Sequence, residues 1–535
     1  MATSSLRNAL LSAGLLASAL LAGPAAAETV LRVGMTAADV PATTGQPDQG
    51  GEGWRFMGVT LYDSLVAWDL SRGDRATPLA PDLATEWSTD PSDRRRWIFK
   101  LRPGVVFHDG SPWNADAAVW NFDKLLNKTA PQYDARQLAQ TLGRLSFVES
   151  YRKLDDLTFE VTTKTPDALF PYYLTIVFFS SPAQWQKVGR DWAEFAKTPS
   201  GTGPWKLDRL VPRERAELVR NTAYWDPKRV PKTDRLILLP IPDASSRTAA
   251  LLSGQVDWIE APSPDAVPKL KQAGMQIVTN SYPHVWPYQL SRLPDSPWND
   301  IRVRQAANLA IDRDGLVQLL GGLAMPAVGQ VPPGSPWFGQ PSFKIGYDPA
   351  RAKQLLAEAG YGPDHPLKTK FLISASGSGQ MQPLPMNEYV QANLKAVGID
   401  VELEVLEWNT LRARRAAGAQ APENKGAHAV NNSWTAADPD FGFVGVMESA
   451  KIPPAGLNWG NVRDPEFDAL AVKIRSAFDP AEQDRLVGAF HARMVDQAVW
   501  IWVVHDLNPR ALSPHVHGFV QARNWIQDLT PVEMK

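Results

Sequence analysis

Leu101-Arg102-Pro103-Gly104-Val105-Val106-Phe107-His108-Asp109-Gly110-Ser111-Pro112 is the stretch from which the rest of the chain is read. Just upstream, Trp97, Phe99 and Leu101 alternate with Ile98 and Lys100, the period-two pattern of a strand with one wet face. Gly104 and Gly110 then flank a short strand as turn residues, and His108-Asp109 is expected to tie the turn together. The strand pattern recurs far downstream, where Val401, Leu403 and Val405 alternate with Glu402 and Glu404. Well-punctuated helices lie between such strands. Asp348 is an N-cap with Pro349 at the first helical position, then a stripe of Ala352, Leu355, Leu356 and Ala359, and Gly360 as the left-handed stop. Asp479-Pro480-Ala481-Glu482 is a capping box ahead of Leu486, Phe490 and Met494, and Asp300 opens a helix with Val303, Ala306, Ala307 and Ala310 on one face. The class is α/β.

The chain has 535 residues, a length that suits about three domains. Ser281–Pro297 carries Pro283, Pro287, Pro294 and Pro297 with aromatics and no helical period, which marks a crossing between lobes. The apolar strand Val499–Val504, just before a proline-spaced tail, marks a second crossing. Lys plus Arg is 55 against 57 for Asp plus Glu, so no basic excess exists to neutralise phosphates, and a nucleic-acid partner is not expected. The absence of cysteine excludes disulfides, thiolate metal sites, a Cys nucleophile and a lipid-modified Cys.

Met1–Ala27 reads as an address. Arg7 precedes an apolar run from Ala9 to Ala22, and Ala25-Ala26-Ala27 offers the small residues that a signal peptidase accepts before Glu28. The run is about 14 residues, short of the roughly 20 that span a bilayer. The mature protein is therefore expected to be periplasmic, with no lipid anchor and no membrane span.

Catalytic signatures are missing. No G-x-S-x-G elbow, H-E-x-x-H helix or phosphate loop occurs, and Gly201-Thr202-Gly203-Pro204 lacks the third glycine of a dinucleotide fingerprint. His515 and His517 could share a strand face and hold a metal, but a solvated pair is the simpler reading. Asp438 and Asp440 could form an acid–base pair, although Asx-turn chemistry around Pro439 explains them more economically. No enzyme, cofactor or metal is expected.

The motifs in order resemble the bacterial extracellular solute-binding proteins of family 5, the dipeptide-, oligopeptide- and nickel-binding components of ABC importers. They are Leu61–Val66 (LYDSLV), Pro81–Ala84, Leu101–Pro112, Gly201–Trp205, Tyr224-Trp225, Leu251–Asp257 (LLSGQVD), Ile301–Arg313 and Tyr347–Tyr361. The resemblance implies a large two-lobed periplasmic binding protein fold of the peptide-binding kind, with an extra subdomain inserted in lobe I. Lobe I would take 28–282 and the C-terminal return 505–535, and lobe II 283–504. It also implies hinge closure over a peptide or peptide-like ligand, delivery to an inner-membrane ABC permease, and a monomer. An oligosaccharide, an opine-like compound or a chelated metal is the alternative ligand, and an exported hydrolase the more distant one.

The family's ligand contacts fall here on Thr36, Glu52, Trp54, Trp408, Asn431, Trp434 and Asp438. Asp438, following Trp434-Thr435-Ala436-Ala437, would meet a peptide ammonium. The loop Ser374–Gln382, where family dipeptide binders hold the carboxylate with an arginine, contains neither Arg nor Lys. Solutes with a positive or neutral polar end are thus expected over short free-acid dipeptides. Export itself is checked by intact mass: the mature chain should begin within a few residues of Glu28, and a retained Met1–Ala27 would contradict the leader reading.

Overall fold

The computed structural model describes residues 28–141 and 143–535, so the leader read over 1–27 lies outside the described residues. The strand–turn stretch that opens the reading sits in a four-stranded antiparallel sheet, in the order Ala84–Thr89, Arg96–Leu101, Thr158–Thr163 and Val148–Asp155. Trp97, Phe99 and Leu101 are buried while Lys100 is exposed, as the alternation requires. This sheet falls in the chain between two strands of a larger, seven-stranded sheet. That sheet runs in the order Gln276–Val278, Arg510–Leu512, Trp258–Glu260, Val30–Met35, Arg235–Pro240, Arg215–Arg220 and Trp205–Val211. The four-stranded unit is thus an insertion in the first lobe.

A second seven-stranded sheet anchors the other lobe. Its order is Ala324–Pro326, Trp500–Asp506, His284–Leu290, Ala429–Asn431, Leu367–Ser374 and Ile399–Leu406, with Trp434–Thr435 also pairing to His284–Leu290. The proline-rich stretch after Ser281 contains a central strand, His284–Leu290, with every residue buried. Pro287 cannot donate to the ladder, and the register shifts between Trp286 and Pro287, which accommodates it. Ile399–Leu406 is an edge strand, and its alternation fades at the far end, where Val405 is 51% exposed. The three expected helices form over Ile301–Ala310, Pro349–Glu358 and Pro480–Asp496, with Asp300, Asp348 and Asp479 accepting from the first-turn N–H groups of Arg302, Arg351 and Glu482.

The motifs of the first lobe meet in one knot. Asp63 is buried and accepts from Thr202 Oγ1 at 2.8 Å, Tyr224 Oη at 2.9 Å and Trp225 Nε1 at 2.9 Å. A Cβ on Gly201 or Gly203 would stand within 2.5 Å of the Leu61–Tyr62 backbone, so only glycine permits that approach. His108 contributes across the insertion and not only within its own turn. Its Nε2–H donates to Gly203 O at 2.9 Å while Gly201 N–H donates to Nδ1 at 3.4 Å. That pattern defines a neutral tautomer, and burial holds the imidazole down to about 4.

The insertion also packs on the second lobe. One apolar cluster runs from Leu65–Phe179 through Phe441–Met447 to Trp500. Arg475 pairs with Asp167 of the insertion at 3.2 Å and with Asp440 at 2.8 Å, and Arg144 of the insertion pairs with Asp438 at 2.9 Å. The insertion and the second lobe are therefore in contact. Among the described residues no helix is long and apolar enough to cross a membrane.

Asp82, beside the knot, supplies a pH test. Burial and the neighbouring Asp63 push its carboxyl up to about 8, although it accepts from Ser64 N–H at 3.0 Å. A folded-state value raised above the unfolded one means stability present at low pH and lost as pH rises toward 8. Asp82→Asn keeps an acceptor for Ser64 and carries no charge. Its melting temperature relative to the parent should climb steadily from pH 5 to pH 8 and then level; a difference that is flat with pH would contradict the assignment.

Candidate ligand cavity between the lobes

A cavity of about 830 Å³ lies where the first lobe, the insertion and the second lobe meet. Gly50, Gly51, Trp54 and Trp525 come from the first lobe, Leu126, Leu138–Gln140, Gly143 and Ser146 from the insertion, and the rest from the second lobe. Its size is that of a small-molecule site, and its walls are largely apolar with a few convergent polar groups.

Three tryptophans expected from the sequence, Trp54, Trp408 and Trp434, all line this one space. Trp434 is fixed: it stacks on Phe441 with centroids 4.4 Å apart and donates Nε1–H to Phe441 O at 2.7 Å. The indole N–H groups of Trp54 and Trp408 are buried and have no partner among the described residues. Trp408 is held from behind by Gly377, where φ is +134° and an added Cβ would stand 2.4 Å from the indole ring.

Thr36 and Glu52 belong to the adjoining space. A smaller cavity of about 400 Å³ is lined by Thr36, Arg55, Glu260 and the loop through Met381, and Trp525 borders both cavities. Glu52 lies behind that wall, accepting from Thr36 Oγ1 at 2.8 Å and from Arg55. Burial pushes the Glu52 carboxyl up. Burial would raise Glu260 likewise, but Arg55 and Arg510 outweigh it and hold that carboxyl below its ordinary value. Arg55 in turn lies 4.3 Å under the Trp525 ring, and His284 stacks on the same ring at 4.9 Å.

Asn431 and Asp438 are placed elsewhere. Asn431 is fully buried and donates Nδ2–H to Pro287 O at 3.0 Å, while its neighbours Asn432 and Ser433 reach the cavity. Asp438 accepts from Arg144 through one oxygen and from Phe441 N–H at 2.8 Å through the other, away from the cavity wall. Asp440 is likewise engaged by Arg475. His515 and His517 are exposed, and among the described residues no group of three or more His, Asp or Glu could hold a metal ion.

The sequence reading passed over Arg412 and Arg415, which line the same cavity. The signal was their spacing. Trp408, Arg412 and Arg415 stand at i, i+4 and i+7 on the helix Trp408–Ala417 and share one face. Arg415 lies 4.1 Å over the Trp434 ring, and burial with the like charge of Arg412 brings its guanidinium down to about 9.

The family model for bacterial extracellular solute-binding proteins, family 5 (middle region), matches residues 78–455. Heme-binding protein A of Haemophilus influenzae is 27% identical, over 88% of this chain and 86% of its own. Di/tripeptide-binding protein 2 of Pseudomonas aeruginosa is 26% identical, over 89% of each. The structure of the dipeptide binding protein from Pseudoalteromonas sp. SM9913 in complex with Met-Leu superimposes with a TM-score of 0.80 at 23% identity, covering 95% of this chain and 100% of that one. A two-lobed fold, an inserted subdomain and a cavity at their junction agree with that match: the chain belongs to the bacterial extracellular solute-binding proteins of family 5.

Proposed function

We propose that the protein captures a peptide or peptide-like solute in the 830 Å³ cavity and delivers it to the permease of an ABC importer. The observation that carries this reading is the cavity itself, walled by both lobes and the insertion together. A ligand held there touches the second lobe through Trp408 and Trp434 and the first through Trp54, so it favours the closed arrangement by differential contact. The chain would divide into lobe I over 28–282 and 505–535 and lobe II over 283–504. The two passages of the chain between the large sheets, Val278 to His284 and Asp506 to Arg510, support that division. Both fit a hinge of paired connections. The leader read over 1–27 supports export to the periplasm, and the engagement of Asp438 and Asp440 by arginines supports capture without chemistry.

A solute that binds only the folded protein adds about 2.7 kcal/mol of stability at a hundredfold excess over Kd. A thermal-shift screen of di- and tripeptides should therefore give saturable hits, each with a smaller radius of gyration in solution scattering. A hit that leaves the radius unchanged would contradict hinge closure. Gly377→Ala should displace Trp408, weaken such hits and shift tryptophan emission. Gly346→Ala, where an added Cβ meets nothing within 4 Å, serves as the silent control.

A further inference from the structure

We propose that Trp525 sets the length of the solute: its indole closes one end of the 830 Å³ cavity, so that a peptide longer than that space meets a fixed wall. The proposal rests on the cavity being the solute site. Trp525 borders both the larger cavity and the 400 Å³ one beside it. Without its ring the two spaces would run together, and the room open to a solute would grow by about half.

The wall between the two spaces is continuous. On the second-lobe side it is the loop Gly377-Ser378-Gly379: Ser378 lines the larger cavity, while Gly377 and Gly379 line the smaller. Gly379 has φ +70°, and a Cβ added there would stand 2.7 Å from Cε1 of His284, so this backbone lies against the imidazole edge. His284 lines the larger cavity and stacks on Trp525 with the rings 15° from parallel. From Trp408 through the glycine loop and His284 to Trp525, each member packs on the next, and Trp525 completes the wall from the first lobe.

A length limit needs a ring that cannot swing aside. Besides His284, Arg55 stands 4.3 Å from the Trp525 ring centroid, and Tyr282 lies at 6.0 Å. The indole edge rests on the backbone of Gly51, where an added Cβ would come within 1.9 Å of Nε1. The chain on either side is tied down as well: Asn524 donates to Thr77 Oγ1 at 3.2 Å, and Gln527 accepts from Arg510 at 2.6 Å. A clamped ring answers a surplus residue with a steric clash, because moving it would break the stack on His284. The smaller cavity, in turn, is not built as a second solute pocket. Its charged lining is already engaged: Glu260 with Arg55 and Arg510, Asp506 with His284, Arg247 with four carbonyls, and Asp243 with the first turn of the helix Ala244–Leu252.

The test uses the mature full-length protein, Trp525→Ala and Trp525→Phe. The probes are peptides of alanine and leucine in a ladder from two to six residues. In calorimetric titration the wild type should show a limiting length, beyond which one more residue raises Kd roughly tenfold. Trp525→Ala should bind the shortest peptides more weakly, having lost a wall contact, yet bind those just above the wild-type limit roughly tenfold more tightly than wild type does. Trp525→Phe, which keeps a flat ring on His284, should restore the wild-type order of lengths. A tryptophan that served only to hold the fold would not produce this crossover. An Ala variant that weakens every length by one factor, or a wild type with no limiting length, would overturn the length wall and leave solute capture standing. No binding at any length, by wild type and Ala variant alike, would instead overturn peptide capture and the wall with it. If Trp525→Ala does not fold, Trp525→Leu carries the same comparison.

Discussion

The buried carboxylate of Asp63 is the constraint on which the rest of the molecule hangs. A charge taken out of water costs several kcal/mol unless hydrogen bonds replace the lost hydration. Asp63 meets that condition with donors from three separate places, Thr202, Tyr224 and Trp225. Holding them fixes the Leu61–Val66 segment against Gly201–Trp205, where glycine alone allows the backbones to touch. His108 fastens the inserted sheet to the same glycines. The orientation of the insertion on the first lobe follows from this knot, and with it the position of Leu138–Gln140 and Ser146 along the cavity.

Across the cleft the insertion meets the second lobe through apolar packing and through Arg144 and Arg475. Ion pairs suit a surface that must separate. Opening the cleft returns guanidinium and carboxylate to water, which solvates both, whereas separating purely apolar faces recovers nothing. The pairs also fix register. Arg475, held within its own lobe by Asp440 and Glu448, reaches across to Asp167 of the insertion.

Local chemistry was legible and distant partnership was not. Asp300, Asp348 and Asp479 announce their helices because a cap acts within three residues. The strand through Trp97, Phe99 and Leu101 was visible because one face is buried and the other wet. His284–Leu290 was hidden, because burial on both faces erases the alternation and Pro287 argues against a strand until the bulge is seen. Asp438 follows Trp434 closely enough to suggest a ligand contact, yet Arg144, 294 residues away, takes its charge. Trp54, Trp408 and Trp434 were singled out through the resemblance; Arg412 and Arg415, on the same helix as Trp408, were readable by spacing, but which way that face points is decided by tertiary packing.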